Sequence, residues 1–404
     1  MAEDPKIKNI KAKEISDSRG NPTIEVNLQT NFGNFKASVP AGVSTGKCEA
    51  VNVDIKKAVE NVEKIIAPEL KDKELRSQKE IDKTLIELDT TQNKSRLGAN
   101  AILGVSIAAC RAAAVSKKIP LYQYISQIAE DIPSQVLPKP SFNMFEGGKH
   151  GEESISFQEF MLIPQKDTFK ENLEAGKKIY KKLGDILKNK FKEVKLSSEG
   201  ALTTSVGKIT EVLDLILEAA EKTGEKDNVK IAIDAAASEF FQDSSYKVDG
   251  RYLSKKELKE FYKDLVAKYP VVSIEDPFYE EDFESFSELK EEIGDKVLIF
   301  GDDLTVSNAR RINLAEENNS CSGLLLKPNQ IGTITETIEA AKLAKSYGWK
   351  IMVSNRGGET EDDFIADLAV GVGAEFIKSG APFTKERMAK YNRLLEIEKE
   401  IKNE

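Results

Sequence analysis

Charged or amide residues follow six apolar stretches in the second half of the chain. The stretches read VKIAID, VVSIED, VLIFGDD, GLLLK, KIMVSN and FIKSG, and their length is typical of buried strands. Successive ends are separated by roughly 25 to 40 residues, enough for a strand, a helix and two loops. The pattern predicts repeated βα units that end at Asp234, Glu275, Asp302, Lys327, Asn355 and Lys378.

These strand ends should converge, because a (β/α) barrel gathers the C-terminal ends of its strands on one face. Three carboxylates and two lysines would then line one cavity. Clustered carboxylate oxygens suit a hard divalent cation such as Mg²⁺, whose charge would make a neighbouring lysine easier to deprotonate. Each acid alone could equally be a helix N-cap or an ion-pair partner, but three at consecutive strand ends favour metal-assisted proton abstraction.

The amino-acid composition excludes several classes of partner and of metal site. The 404 residues are 40% hydrophobic, which supports a large core, and the net charge of −9 argues against nucleic acid or an anionic membrane as the main partner. A single histidine, His150, excludes a multi-histidine metal site. Three widely spaced cysteines suggest neither a disulfide framework nor a zinc site. Acid–base chemistry therefore falls to carboxylates and lysines.

The longest apolar stretch, over 101–115, contains Arg111 and is too short for a membrane span. The N-terminal residues lack the charged-then-apolar pattern of a signal peptide. We therefore expect no membrane span and a cytoplasmic location.

The first part of the chain predicts a small α+β domain. Strands are expected over 8–16, 23–30 and 35–40, and helical periodicity follows over 50–66, 79–88 and 99–117. A proline-punctuated stretch over 131–140 is the best domain boundary. We expect an N-terminal capping domain over 1–132 and a barrel domain over 139–404.

The second part begins with two strands in succession, over 140–145 and 157–164, and two helices, over 168–191 and 207–223. Six βα repeats follow, with helices near 283–293, 308–318, 333–346, 359–370 and 385–402. A regular parallel barrel would begin βαβα. The expected fold is therefore α/β, an irregular eight-stranded TIM-type barrel of ββαα(βα)₆ order.

This layout and a series of motifs resemble the enolase family. The motifs are DSRGNPTIEV, SVPAGVSTG, NKSRLGANAILGVSIA, EGGKHGEESISFQEFMLIP, IDAAASEFF, SIEDPF, GDDLTVSN, LLLKPNQIGT, VSNRGGETEDDFIADLAVG and IKSGAP. They cover nearly the whole chain in order. The resemblance implies a lyase of glycolysis, phosphopyruvate hydratase, which dehydrates 2-phosphoglycerate to phosphoenolpyruvate with Mg²⁺ and runs in reverse in gluconeogenesis.

The resemblance implies two Mg²⁺ sites. Asp234, Glu275 and Asp302 match the ligands of the first, and Ser44 matches a ligand of the second, substrate-dependent site. For Ser44 alone, a turn serine would be the simpler interpretation.

The resemblance also implies the acid–base groups. Lys327 matches the base that removes the α-proton, and Lys378 matches a lysine that contacts the substrate carboxylate and helps to keep Lys327 deprotonatable. Glu199 matches the general acid for the departing 3-hydroxyl, with Glu159 as its partner. Two close carboxyls should raise the pKa of one of them. Each residue also has a purely structural interpretation. Lys327 could reach solvent or pair with a neighbouring acid, Glu199 could be a loop acid in solvent, and Glu159 could be a strand acid paired with a lysine.

Three further residues match substrate contacts. Gln158 matches a residue that contacts the substrate, and Arg356 matches an arginine that clamps the phosphate with its forked donors. His150 lies in a glycine-rich loop that resembles a mobile lid, and its matching histidine approaches the phosphate when the lid closes. A lone loop histidine would otherwise be interpreted as exposed.

The chain also departs from the family pattern. Asn355 stands where the family usually carries a histidine, and it cannot exchange a proton. Gly357 replaces a serine and leaves only a backbone donor for the phosphate. Ala41 replaces a loop serine, and SSEGALTT around Glu199 replaces GDEGGFAP.

Three hypotheses result: a working enolase, a relative that acts on a different carboxylate, and a weakened homologue kept for binding. The intact metal acids, Lys327 and Glu199 favour the first, whereas Asn355 and Gly357 favour the second. The third predicts loss of a metal ligand or of Lys327, and neither is lost. The resemblance further implies a small phosphorylated carboxylate substrate and a homodimer or an assembly of dimers.

Overall fold

A computed structural model describes residues 6–43, 46–75, 77–130, 136–151 and 154–403. Ser44, the predicted ligand of the second metal, lies outside the described residues.

The N-terminal part is an antiparallel meander with helices on one side. Its strands, in sheet order, are β1 (Ile7–Ser16), β2 (Pro22–Thr30) and β3 (Gly33–Ser38). The helices are α1 (Ile55–Asn61), which continues through a π-helical turn (Val62–Ile66) into α2 (Ala67–Leu70), then α3 (Gln78–Asp89), α4 (Ala99–Ser116) and α5 (Leu121–Ile128).

The three predicted strands are present, but the first helix begins five residues later than predicted. Asp54 is the cause, because its side chain accepts hydrogen bonds from the backbone N–H groups of Lys56 and Lys57 and caps α1. Helix α5 was not predicted.

Helix α4 is the central helix of this part. It packs against β2 and β3 so closely that a Cβ on Gly104 would lie 2.6 Å from Val26 Cγ2. By length and composition its 18 residues could cross a membrane, so the prediction from the shorter stretch 101–115 was wrong about length. However, 83% of this helix is buried inside the protein, which is typical of a core helix.

The remaining elements follow in chain order. They are β4 (Lys139–Glu146), β5 (Glu159–Pro164), α6 (Phe169–Lys190), β6 (Lys195–Leu196), β7 (Leu202–Thr203), α7 (Ile209–Lys222), β8 (Val229–Asp234), β9 (Phe241–Gln242), β10 (Ser245–Val248), β11 (Arg251–Leu253), α8 (Lys255–Lys268), β12 (Val271–Glu275), α9 (Phe283–Ile293), β13 (Leu298–Gly301), α10 (Ala309–Glu317), β14 (Gly323–Leu326), α11 (Pro328–Ile331), α12 (Ile334–Ser346), β15 (Lys350–Ser354), α13 (Phe364–Gly371), β16 (Phe376–Lys378) and α14 (Lys385–Asn403).

Eight of these strands close a barrel in the order β16-β15-β14-β13-β12-β8-β5-β4, with β16 paired to β4. Strand β5 is antiparallel to both neighbours, because it follows β4 without a crossover helix, and the other pairs are parallel. The predicted ββαα(βα)₆ order and α/β class are confirmed. The hairpin strands β9–β11 and helix α8 were not predicted.

Arg111 of α4 joins the N-terminal part to the barrel part. Its guanidinium donates to both carboxylate oxygens of Asp362 at 2.8 and 2.9 Å and to Asp363 at 2.7 Å. Burial raises the pKa of Asp362, but the Arg111 charge and hydrogen bonds outweigh burial and leave that pKa below its usual value of 3.8.

We predict that Asp362→Asn lowers the free energy of unfolding by about 3 kcal/mol at neutral pH, since it breaks a buried pair. Because the pKa of Asp362 is lower in the folded state than in the unfolded state, its ionised form stabilises the fold at pH values above the unfolded pKa. The difference in free energy of unfolding between wild type and variant should therefore shrink as pH falls below about 4. Denaturant titrations at several pH values measure this. Asp363→Asn, at a half-exposed partner of the same arginine, should cost under about 1 kcal/mol. Equal costs for the two variants, or a cost independent of pH, would contradict this account.

Candidate active site

The predicted strand-end residues meet at one edge of the barrel. Asp234, Glu275 and Lys378 are the last residues of β8, β12 and β16. The other three follow β13, β14 and β15 directly and are Asp302, Lys327 and Asn355. All six are less than one-tenth exposed. Charged groups in so buried a position need partners, and the partners define the site.

Lys378 joins two groups of carboxylates. Its Nζ lies 3.0 Å from Asp234 Oδ2, 2.8 Å from Glu275 Oε2 and 2.9 Å from Glu159 Oε2. Burial lowers the pKa of this lysine, but the surrounding carboxylates outweigh burial and raise it well above the usual value. Lys378 is therefore an ammonium counter-charge. We call Asp234, Glu275 and Asp302 the metal side.

The metal side retains unbalanced negative charge. Burial and the neighbouring Asp234 raise the pKa of Glu275 well above its usual value. Its Oε1 is buried and has no hydrogen-bond partner among the described residues. An unpaired carboxylate oxygen beside further carboxylates is a donor set that fits a hard divalent cation.

Lys327 pairs with Asp302, whose other oxygen accepts from Gln330 Nε2 at 2.9 Å. Burial lowers the pKa of Lys327, but Asp302 and Glu275 outweigh burial and raise it. Arg356 and Lys378 lower the pKa, as expected from like-charge repulsion, but by less. Without a cation Lys327 is therefore an ammonium group, and the deprotonation expected from the sequence requires additional positive charge.

Two further acids adjoin Asp302 that sequence reasoning missed. Ligand atoms of Asp276, Asp302 and Asp303 lie within 4.8 Å of one another, close enough to hold a cation. Asp276 accepts from the backbone N–H groups of Asp302 at 2.9 Å and Asp303 at 2.7 Å, and burial and the charge of Asp302 raise its pKa to about 8. The sequence signal for these two acids is that each follows a predicted metal ligand or adjoins it, as Asp276 does in SIEDP and Asp303 does in GDD.

Four further groups at this end of the barrel have ligand atoms that lie within 4.8 Å of one another: Glu146, His150, Glu159 and Glu199. We call them the acid side. His150 Nδ1 lies 3.6 Å from Glu159 Oε1, and its side chain is 5% exposed, so the alternative of an exposed loop histidine was wrong. Glu146 was not predicted.

The protonation pattern of the acid side differs from expectation. Burial raises the pKa of Glu199, but the charges of Arg387, His150 and Lys378 together lower it to about 2. Burial and the charges of Glu199 and Glu159 raise the pKa of Glu146 well above its usual value. Two close acids do drive their pKa values apart, but the neutral one is Glu146, and Glu199 is ionised.

Arg356 is held by a residue that the sequence did not single out. Its guanidinium donates twice to Glu49 at 3.0 Å and once to Asn329 at 2.9 Å. Gly357 stands where the family usually carries a serine. A Cβ on Gly357 would lie 2.3 Å from Val43 Cγ2, so any larger residue at position 357 requires Val43 to move.

Asn355 and Gln158 connect neighbouring strand ends. The Asn355 backbone N–H donates to the Lys378 carbonyl at 2.8 Å, and its side-chain amide donates to the Arg356 carbonyl at 3.1 Å. Gln158 Nε2 donates to Asp234 Oδ2 at 3.4 Å. All the predicted site residues within the described ranges therefore border one cavity or its metal-side wall, with about 340 Å³ of empty space.

Comparisons with known proteins agree with this geometry. Residues 7–125 match the family model described as "Enolase, N-terminal domain", and residues 134–404 match "Enolase, C-terminal TIM barrel domain". A protein named enolase from Methanopyrus kandleri is 46% identical over 415 residues, covering 98% of this chain and 96% of the relative. An enolase from Eimeria tenella is 46% identical over 426 residues, with the same coverage of both chains.

Proposed function

Because the chain belongs to the enolase family, we propose that it catalyses the reversible dehydration of 2-phosphoglycerate to phosphoenolpyruvate. The enzyme would be a hydro-lyase of glycolysis and gluconeogenesis, dependent on a divalent cation. The observation that carries the proposal is a cavity lined by Lys327, by Asp234 and Asp302 of the metal side, and by His150, Glu159 and Glu199 of the acid side. That arrangement provides a base, charge stabilisation and an acid for one elimination.

Lys327 is the proposed base. The α-proton of a carboxylate is very weakly acidic, because its removal places more negative charge on an existing anion. Asp234, Glu275 and Asp302 would hold a divalent cation such as Mg²⁺, which would supply positive charge to stabilise this dianion. Two Mg²⁺ sites are proposed, the second dependent on substrate and including Ser44. Lys378 would contact the substrate carboxylate, since it already pairs with carboxylates at this edge.

The acid side would bind and protonate the departing 3-hydroxyl. Glu199 would protonate the 3-hydroxyl so that it leaves as water, which requires this ionised carboxylate to take up a proton first. Glu159 and His150 would hold that hydroxyl and the neighbouring phosphate. Gln158 would orient the substrate from its position beside Asp234.

Arg356 and the Gly357 backbone N–H would bind the phosphate. The forked donors of Arg356 suit a phosphate, but Glu49 occupies them here. A phosphate must therefore share or displace Glu49, which makes the loop that carries Glu49 part of substrate binding.

We also propose domains over 1–132 and 139–404, a cytoplasmic location and a homodimer or an assembly of dimers. A relative acting on a different carboxylate is the second candidate, favoured by Asn355 and Gly357.

The deciding experiment follows phosphoenolpyruvate formation from 2-phosphoglycerate by ultraviolet absorbance, with Mg²⁺ and with chelator. Turnover that disappears in chelator supports the proposal. A folded, Mg²⁺-loaded preparation without turnover would reject it, and turnover of another 2-hydroxy or 3-hydroxy carboxylate would favour the second candidate.

Lys327→Ala should lower kcat roughly a thousandfold or more, because it removes the proposed base. Mg²⁺ binding measured by calorimetry should persist. Lys94→Ala is the matched control: this buried lysine pairs with Glu336 outside the site, so the variant should lose stability but keep its rate. An unimpaired Lys327→Ala enzyme would remove Lys327 as the base.

Asn355→His restores a titratable group beside Glu199, whose pKa Asn355 already helps to lower. An imidazolium there should strengthen phosphate binding at low pH and add a titration near pH 6.5 to the pH dependence of kcat/KM. Steady-state kinetics across pH measure this. An unchanged profile would show that position 355 lies outside the reacting groups.

A further inference from the structure

Glu146 lies between the two glutamates of the acid side that have proposed roles. It is the last residue of β4 and stands directly opposite Glu159 of β5. On the other side, β4 pairs through Phe145 with Leu202 of β7, next to the turn that carries Glu199. The barrel register therefore brings a third carboxyl to the acid side.

The surroundings of Glu146 favour a neutral acid. The residue is fully buried, and its Oε1 accepts from Asn143 Nδ2 at 2.5 Å. Its Oε2 has no hydrogen-bond partner in the described part of the chain, and the same holds for Glu199 Oε2. Two buried carboxyl groups whose ligand atoms lie within 4.8 Å of each other would repel if both were ionised, so one of them is expected to hold a proton.

Among the described residues, neither Lys378 nor Arg387 pairs directly with Glu146, although Arg387 Nε has no hydrogen-bond partner. Lys378 pairs with Glu159, Asp234 and Glu275. The guanidinium of Arg387 on α14 donates to the backbone carbonyls of Arg356, Ser198 and Gly357.

The charged and titratable groups that influence or adjoin Glu146 come from several elements. Burial raises its pKa most, and the charges of Glu199 and Glu159 raise it further. Hydrogen bonding from Ser197 and the charge of Arg387 lower it by less. The remaining titratable neighbours are His150 and, on α6, Tyr180. The net effect favours the neutral acid.

We propose that Glu146 is the proton store of the acid side and acts through Glu199, a role that rests on the proposed dehydration. Glu146 passes its proton to the Glu199 carboxylate, and Glu199 then passes a proton to the 3-hydroxyl oxygen. The electron pair left at C2 by removal of the α-proton forms the C2–C3 double bond. The C3–O bond breaks, its electron pair leaves with the oxygen, and water forms. Glu146 regains a proton from solvent, while Lys327 returns the α-proton to solvent, so the cycle balances.

Glu146→Gln keeps the shape and neutrality of the acid but cannot supply a proton. We expect kcat to fall at least about tenfold with KM within about twofold. Wild-type kcat should decline as pH rises and Glu146 loses its proton, and this decline should vanish in E146Q. Glu146→Asp should recover part of both the rate and the decline. Tyr180→Phe, which removes the hydroxyl that donates to the Gly200 carbonyl, controls for loosening of the Glu199 turn and should keep the pH profile.

Infrared spectroscopy of the metal-free protein at neutral pH locates the proton without turnover. Glu275 and Asp276 also have raised pKa values and contribute protonated carboxylic acid bands of their own, so the test is the difference between the two spectra. We expect the wild-type minus E146Q difference spectrum to contain one protonated carboxylic acid band. Absence of that difference band, or an E146Q enzyme with unchanged kcat and pH profile, would overturn the proposal. If E146Q fails to fold, E146D decides, and an unshifted pH profile in that variant overturns it. An inactive wild type would reject the proposed dehydration and the relay with it, whereas an active wild type with an unaffected E146Q rejects the relay alone.

Discussion

Burial of negative charge at one end of the barrel is the constraint on which the rest of the structure depends. An isolated carboxylate in a low-dielectric interior is strongly destabilising, so each one here requires a counter-charge or a proton. Lys378 and Lys327 neutralise part of the metal side, Arg387 and Lys378 lower the pKa of Glu199, and Glu146 is held neutral. Glu275 Oε1 remains without a partner among the described residues, which is where a divalent cation is most favourable.

The N-terminal part takes part in the same charge balance. Glu49 pairs with Arg356 beneath the cavity, and Arg111 pairs with Asp362 nearby. Asp82 on α3 accepts from the Thr335 backbone N–H at 2.8 Å and the Ser106 hydroxyl at 2.6 Å, so α3 and α4 meet the start of α12. The capping part therefore supplies charges and hydrogen bonds to the barrel end that binds substrate.

Much of the barrel could be predicted because short stretches of sequence are enough to identify its strands. Apolar runs that end in a polar residue identify β8 and β12–β16, and parallel geometry brings their ends together whatever the loops do. The hairpin strands β9–β11 were not predicted because they are inserted between β8 and its crossover helix α8, and this insertion also hid α8. The roles of Glu146, Glu49 and Asp276 were not predicted. Each depends on partners in other elements that are distant in the sequence.

The protonation states could not be predicted from spacing either. Glu199 and Glu146 are both buried acids, and only the positions of Arg387, His150 and Lys378 decide which one is ionised. Gly357 illustrates the same point for shape, because the position of Val43 explains why a side chain there is unfavourable.

Calorimetric titration of the metal-free protein with Mg²⁺, in wild type and in Glu275→Gln, tests the charge balance most directly. The amide keeps the size of the side chain but cannot ionise to bind the cation. The account predicts one-to-one binding to wild type without substrate and at least about tenfold weaker binding to the variant, equivalent to about 1.4 kcal/mol. Equal affinities would contradict the claim that the unbalanced carboxylates of the metal side hold the cation.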